Sequence, residues 1–275
     1  MAEPTSTGVK KIEIKPYLIA ERLNLSIPPV FKLMEAGDAE ALKTIVRKQV
    51  AAGASAIDLN VDIFRSESLN KLQYFYELIR DECDLPVSVD SSDEHLIKTF
   101  IATHMPDRFV LNSISVNTEI ADFVFDYLNN IPDARAIIRM DVNGFPPANR
   151  AEYAQAYASI SDFIKPSGLP FDRFFIDLMI RPVAMTQEIF IESLAFLDNA
   201  GDADAAFIVG LSNVSFGLPK RKILNAYALA TLWTKGIRNY ILNVSDSNIM
   251  DALAAMKALT GLDSGCLDYC IASRG

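Results

Sequence analysis

The sequence has few cysteines and histidines: three cysteines and two histidines among 275 residues. The odd, sparse set of thiols argues against a disulfide framework and favours a reducing, cytoplasmic setting. His95 and His104 follow no metalloenzyme spacing, and no cluster of histidine, cysteine and carboxylate has the spacing of metal ligands. We therefore expect this chain to bind no metal.

Basic residues are also in deficit, with 26 Lys and Arg against 35 Asp and Glu and a net charge of −9. This balance argues against sequence-independent affinity for nucleic acid or anionic lipid, because neither would meet a cationic face. No apolar run approaches the roughly 18 residues that a membrane helix needs. Residues 1–11 are polar and lack the hydrophobic segment of a signal peptide. We expect neither a nucleic-acid partner nor a membrane location.

One pattern recurs eight times along the chain. An apolar or β-branched run leads into a polar cluster, and a segment with helical spacing follows. Ile120, Phe123, Val124, Tyr127 and Leu128, for example, form the apolar stripe of a helix with one buried face. The predicted strands span residues 17–24, 56–61, 86–91, 108–113, 136–142, 174–180, 205–214 and 239–245.

Strands that alternate with helices pair in parallel through crossovers, and eight such units within about 250 residues predict an α/β fold, a single-domain (β/α)8 TIM barrel. An open doubly wound sheet is the alternative. That fold usually has a glycine-rich turn after its first strand, whereas this chain has Ala20-Glu21-Arg22-Leu23-Asn24 there. We predict a leader over residues 1–15 and the barrel over residues 16–275, with a short C-terminal extension at 261–275.

Polar side chains end nearly every predicted strand, and active sites of this fold lie at the C-terminal ends of the strands. The leading candidates each end an apolar run and are expected to point inward: Asp90, Asn112, Asp177 and Asn213. Second-rank candidates are Asp58, Asn60, Asp141 and Ser215. Helix capping is the competing explanation for such residues in any α/β protein.

Carboxylates and amides together offer both acceptors and donors of hydrogen bonds. This combination suits a planar heterocycle with amino and lactam edges. One aspartate can accept two N–H bonds from a guanidine-like edge in bidentate fashion. The ring of polar strand ends therefore favours a heterocyclic ligand over a metal.

Six short segments resemble, in order and spacing, the methyltetrahydrofolate:corrinoid methyltransferases, a family that includes the folate-binding domain of cobalamin-dependent methionine synthase. The resemblance extends over residues 17–260, and the family fold is also a (β/α)8 barrel. The segments are Ala20-Glu21-Arg22-Leu23-Asn24, Asp58-Leu59-Asn60-Val61, Val89-Asp90-Ser91, Leu111-Asn112-Ser113, Phe175-Ile176-Asp177 and Gly210-Leu211-Ser212-Asn213-Val214-Ser215.

The resemblance implies that tetrahydrofolate or methyltetrahydrofolate is a substrate. Asp90, Asn112 and Asp177 would hold the pterin ring, and Asn213 would lie beside N5 as the catalytic residue. Methyl transfer from N5 requires protonation of that nitrogen, and an amide can donate or accept as N5 changes state. The second-rank candidates would complete a hydrogen-bond network around Asn213.

Corrinoid-binding domains carry an Asp-x-His-x-x-Gly motif, and the nearest match here, Asp93-Glu94-His95-Leu96-Ile97-Lys98, lacks the glycine. The family resemblance therefore implies that cobalamin arrives on a separate corrinoid protein, which docks over the C-terminal face. Relatives are commonly homodimers. Of the two directions, we favour methyl transfer from the corrinoid to tetrahydrofolate because the chain is free-standing.

Two departures from the family pattern concern the fifth and sixth strands. Leu178 follows Asp177 where the family usually has proline, so the next loop is expected to differ and Arg181 to be available to a glutamate tail or a partner protein. Asp141 stands where close relatives have asparagine.

Two alternatives are a non-catalytic folate-binding protein and an enzyme resembling dihydropteroate synthase. The latter usually has an asparagine-rich first loop and a late arginine–histidine pair, which are missing here.

Overall fold

The computed structural model of the chain describes residues 15–200 and 205–272. Apart from Lys15, the predicted leader lies outside the described residues. Within them, all adjacent strands pair in parallel and the sheet closes in the order of the sequence, which confirms the predicted (β/α)8 barrel. The strands are β1 (Tyr17–Asn24), β2 (Ala56–Asn60), β3 (Val87–Asp90), β4 (Phe109–Ile114), β5 (Arg135–Arg139), β6 (Phe174–Asp177), β7 (Ala206–Gly210) and β8 (Asn239–Leu242).

Helices follow the strands and cover the outside of the barrel. Three additions to the simple alternation are a helix before the expected one after β1, a single turn directly after β7 and a short helix near the C-terminus. The helices are α1 (Pro28–Glu35), α2 (Ala39–Ala51), α3 (Ser68–Glu82), α4 (Glu94–His104), α5 (Ala121–Asn130), α6 (Arg150–Ile164), α7 (Gln187–Leu197), α8 (Leu211–Val214), α9 (Arg221–Thr234), α10 (Ser247–Leu259) and α11 (Leu267–Ala272). No helix in the described ranges combines the length and apolar character that crossing a bilayer requires.

The strands divide their side chains between two apolar layers, because successive residues of a strand point to opposite faces. The outer layer packs against the helices, as in α5, where Val124, Tyr127 and Leu128 are buried on the predicted stripe. Each such buried side chain contributes about 1.5–3 kcal/mol to folding. The inner layer fills the barrel and comprises Ile19, Ala56, Val110, Ile137, Phe175 and Ile208.

Four of the predicted strands extend three or four residues too far at their C-terminal ends. The fifth ends at Arg139 rather than at residue 142, the sixth at Asp177, the seventh at Gly210 and the eighth at Leu242. After each of these strands an apolar loop residue remains buried, namely Met140, Leu178, Leu211 and Val244. Hydropathy therefore indicates which residues are buried, and it does not mark the residue at which strand pairing stops.

Candidate functional site

The C-terminal mouth of the barrel is lined by the residues that lie two positions beyond the inner apolar layer. Side-chain alternation places Asn112 above Val110 and Asp177 above Phe175. Strand register sets Asp90 beside Asn112 on neighbouring strands. The structure thus brings the three predicted pterin-binding residues to one end of the barrel.

Two of the second-rank candidates hydrogen-bond to two of these residues, Asn112 and Asp90. Asp58 accepts from the Ser88 hydroxyl at 2.7 Å and from the Asn112 amide nitrogen at 3.3 Å. The amide nitrogen of Asn60 donates to Asp90 at 2.9 Å. A network whose members are mutually satisfied holds each side chain in one orientation, so the mouth is organised before a ligand arrives.

The aspartates of the mouth hold protons more tightly than free aspartates do. Burial raises the pKa of Asp58 well above its ordinary value, and the nearby Asp90 charge adds to the effect. Burial likewise raises the pKa of Asp90. It raises the pKa of Asp177 to about 6, although the Met179 N–H, at 3.0 Å from Oδ1, and the positive charge of Arg139 oppose the shift. Asp177 therefore exchanges a proton near pH 6 and can serve either as an acceptor or as a donor.

Asn213 lies on the helical turn α8, whereas the sequence analysis placed it at the end of a strand. Its side chain is exposed, and a Cβ atom built on Gly210 would lie 2.9 Å from the Asn213 amide nitrogen. Gly210 ends β7 two residues after the inner-layer residue Ile208. The missing side chain at Gly210 thus leaves room for the Asn213 amide at the rim of the mouth.

The loop after β7 is fixed by polar contacts to β1 and α9. The Ser212 hydroxyl donates to Glu21, whose pKa burial raises. Arg221 donates to the Ser212 carbonyl oxygen at 2.8 Å and to the Ser215 hydroxyl at 3.1 Å. Ser215, a second-rank candidate, is fully buried and holds this loop together through Arg221.

Asp141 lies in the loop after β5, beyond the end of the strand on which the sequence analysis placed it. One of its carboxylate oxygens accepts the Gly144 N–H at 3.1 Å, across a turn in which Asn143 and Gly144 have positive φ. Its other oxygen is buried without a hydrogen-bond partner among the described residues. In this structure Asp141 stabilises a turn.

In the loop after β6, Leu178 occupies the position at which the methyltransferase family described above usually has proline. The Leu178 N–H donates to the Ile208 carbonyl at 3.2 Å, a bond that proline has no N–H to make. Arg181 donates to the Pro146 carbonyl at 3.2 Å. Arg181 therefore links the loops after β6 and β5; its contact with a glutamate tail or a partner protein stays a prediction.

An open cavity of about 600 Å³ adjoins Asn213 on the side of β1 and β8. Its volume lies within the usual range for small-molecule sites. Its lining combines polar, cationic and aromatic side chains, among them Glu21, Arg22, Asn24, Ser212, Asn213, Phe216, Arg221, Lys222, Asn243 and Asp246. No group of three or more His, Cys, Asp or Glu residues that could hold a metal ion occurs in the described parts of the chain.

Arg139 is a residue of the mouth that the sequence analysis did not select. It ends β5, pairs in register with Asp177 and lies two residues beyond the inner-layer residue Ile137. The available signal is the arginine inside the apolar run Ala136-Ile137-Ile138-Arg139-Met140. Because the predicted fifth strand extends to residue 142, the sequence analysis selected Asp141 as its strand-end candidate in place of Arg139.

The family model described as pterin binding enzyme matches residues 20–244. The chain belongs to this family. The predicted pterin-binding barrel is thereby confirmed, and Asp90, Asn112, Asp177 and Asn213 all fall within the matched range.

A curated relative of this pterin-binding enzyme is the methylcorrinoid:tetrahydrofolate methyltransferase of Eubacterium limosum. The two are 24% identical over 261 residues, which cover 94% of this chain and 96% of the relative. The relative carries the activity that the sequence resemblance implied.

Solved structures of dihydropteroate synthases share the fold. The Xanthomonas albilineans enzyme with 4-aminobenzoic acid has a TM-score of 0.67 and 16% identity, covering 90% of this chain and 94% of the other. The Thermus thermophilus enzyme in complex with 6HMPPP has a TM-score of 0.65 and 17% identity, covering 90% and 95% of the two chains.

Proposed function

We propose that this pterin-binding enzyme moves a methyl group between N5 of tetrahydrofolate and the cobalt of a corrinoid carried on a separate protein. The observation that carries the proposal is the placement of the Asn213 amide at the rim of the mouth, over Gly210 and at the same end of the barrel as Asp90, Asn112 and Asp177. The name of the Eubacterium limosum relative supports the same reaction.

The mouth supplies what a pterin ring needs. Asp90 and Asp177 accept hydrogen bonds from the ring N–H and amino groups, and the Asn112 amide offers a donor and an acceptor. Asp58 holds the Asn112 amide in place, and Asn60 holds the Asp90 carboxylate. Burial keeps water from competing with the ligand and so strengthens each of these polar contacts.

Asn213 lies beside N5 in this proposal. When the corrinoid is the donor, the N5 lone pair attacks the methyl carbon, the cobalt–carbon electron pair stays on cobalt, and the N5 proton leaves. In the reverse direction N5 must gain that proton before or during transfer. The Asn213 amide accepts from N5–H or donates to the lone pair as required, and a hydrogen bond that is strongest in the transition state lowers the barrier.

The corrinoid protein docks over the C-terminal face, because the methyl group must be reached from outside the barrel. Three consecutive loops place large apolar side chains on this face: Phe145 is 70%, Met185 is 76% and Phe216 is 63% exposed. Exposed apolar groups around a polar site are typical of protein–protein contacts. The favoured direction is from methyl-corrinoid to tetrahydrofolate.

We also propose that the protein is a cytoplasmic homodimer. Apolar side chains remain exposed away from the mouth, on α9 at Ile223 and Tyr227 and on α11 at Leu267 and Ile271. A second copy would bury such residues. Light scattering on purified protein tests the dimer, and a concentration-independent monomer mass would contradict it.

The test of the reaction is a cobalt-absorbance assay under anaerobic conditions. Methylcobalamin is incubated with tetrahydrofolate, and cob(I)alamin with methyltetrahydrofolate, each with wild-type protein and with Asn213→Ala. We expect protein-dependent loss of the spectrum of the starting cobalamin in each reaction, much slower with the variant. Folate binding without transfer, also with a corrinoid partner protein, would indicate a non-catalytic protein. Condensation of 4-aminobenzoate with a pterin pyrophosphate would indicate a synthase instead.

A further inference from the structure

Arg139 differs from every other inward-facing residue at the ends of the described strands. On the neighbouring strands β4 and β6 these positions hold Asn112 and Asp177, whereas Arg139 is basic. It is half-buried, and its charge lowers the pKa of both Asp90 and Asp177 against the effect of burial. The pairing of β5 with β6 places Arg139 at the same end of the barrel as Asp177.

The donors of Arg139 are nevertheless uncommitted. Among the residues that the structure describes, its guanidinium makes no hydrogen bond and no ion pair within 4.0 Å. The other inward-pointing arginine of β5, Arg135, lies against the rings of Tyr17 and Phe175, 5.4 and 5.3 Å from their centroids. An arginine has five N–H donors in a fixed fork, so Arg139 presents an unused set of donors to whatever enters the mouth.

The order of groups on a pterin edge matches the order of these side chains. The 2-amino group and N3–H are donors that one carboxylate accepts together, and the lactam oxygen at C4 is the next group along the edge. Strand register sets Arg139 directly beside Asp177. A ring whose donor edge lies on Asp177 can therefore present its lactam oxygen to Arg139 on β5.

We propose that Arg139 binds the lactam oxygen of the pterin and makes the site select 4-oxo over 4-amino pterins. This assignment rests on pterin binding in the mouth, which the proposed function shares, but it does not require methyl transfer. A 4-amino group presents N–H donors to the guanidinium in place of an acceptor, and the two are mutually repulsive.

The test is anaerobic calorimetry with tetrahydrofolate and its 4-amino analogue on wild type, Arg139→Met and Arg139→Lys. Removing a charged hydrogen bond should weaken tetrahydrofolate binding about 10- to 100-fold. The ratio of 4-oxo to 4-amino pterin affinity should fall at least about fivefold in Arg139→Met, because the substitution weakens binding of the 4-amino analogue less than binding of tetrahydrofolate. Arg139→Lys keeps the charge and should retain part of the preference.

Arg135→Met is the matched control, since it removes the same charge from the same strand at the opposite end of the barrel. It should leave the ratio unchanged, and thermal unfolding checks that each variant is folded. An unchanged ratio in Arg139→Met would overturn the assignment and leave a purely structural role. Wild type that binds neither pterin would overturn this inference and the proposed function together. Selective pterin binding without methyl transfer would overturn the proposed function alone.

Discussion

Replacing Gly210 by alanine tests the placement of Asn213 without altering Asn213 itself. The backbone of Gly210 has φ −71° and ψ 91°, which alanine adopts without strain. The added methyl group would lie 2.9 Å from the Asn213 amide nitrogen, well inside the 3.4–4 Å of ordinary contact. Because Asn213 is exposed, its side chain can rotate away from the new methyl group.

The expected magnitudes follow from this geometry. Rotation of Asn213 costs about 0.5–1.5 kcal/mol if it leaves a rotamer minimum. Alanine also makes the unfolded chain less flexible than glycine does, which stabilises the folded state by about 0.4–1 kcal/mol. The two effects oppose each other, so the free energy of unfolding should change by less than about 1 kcal/mol. Displacement of the amide from N5 should slow methyl transfer about 10- to 100-fold, which corresponds to about 1.4–2.7 kcal/mol of transition-state stabilisation.

Single-turnover kinetics with methylcobalamin and tetrahydrofolate measures the rate, and calorimetry measures the binding. Pterin affinity should change less than about threefold, because the ring contacts lie on other strands. Since Gly210→Ala acts through Asn213, the double variant with Asn213→Ala should be no slower than Asn213→Ala alone. A wild-type rate in Gly210→Ala, or additive losses in the double variant, would refute the reasoning.

Three further changes test separate parts of the site. Asn213→Ala should reduce the transfer rate more than the folate affinity, measured by the same kinetics and calorimetry. Asp177→Asn should be more stable than wild type above pH 7 by about 1–3 kcal/mol, because ionising a buried group costs the folded state free energy. The folded pKa, about 6, exceeds the ordinary value of 3.8, so wild-type stability falls as pH rises through this window, and urea unfolding should show the two proteins converging by pH 4. Phe216→Ser should weaken use of a methylated corrinoid protein about 10-fold, the loss expected when a large apolar contact leaves an interface, while free methylcobalamin reacts at the wild-type rate.

Each of these expectations has an outcome that contradicts it. Equal losses of rate and affinity in Asn213→Ala would mean that the amide holds the ring and has no separate role in transfer. Parallel stability curves for Asp177→Asn and wild type from pH 4 to 7 would contradict the raised pKa. Equal effects of Phe216→Ser on free and protein-bound corrinoid would place Phe216 in the small-molecule site and not in the docking face.

The barrel and most of its mouth could be predicted from the sequence because both depend on local, regular patterns. Eight apolar runs mark eight strands, and a period of two carries the inward direction from Val110 to Asn112 and from Phe175 to Asp177. The polar residue that ends such a run then marks the mouth. Hydrogen bonds between adjacent strands, such as Asn60 to Asp90, follow from that placement.

The strand ends and Arg139 could not be predicted in the same way. Leu211 and Val214 are as buried as the strand before them, so composition gives no sign that β7 stops at Gly210 and turns into α8. The position of the Asn213 amide depends on that turn and on the missing side chain of Gly210, which only three-dimensional structure relates. The role of Arg139 depends on strand register with Asp177, which no pattern in a single sequence encodes.

A crystal structure of the protein with methyltetrahydrofolate tests the central claim most directly. We predict the pterin ring in the mouth of the barrel, with Asp90, Asn112 and Asp177 within hydrogen-bond distance and N5 about 3 Å from the Asn213 amide. A ring bound outside the mouth, or one whose N5 faces away from Asn213, would contradict the account.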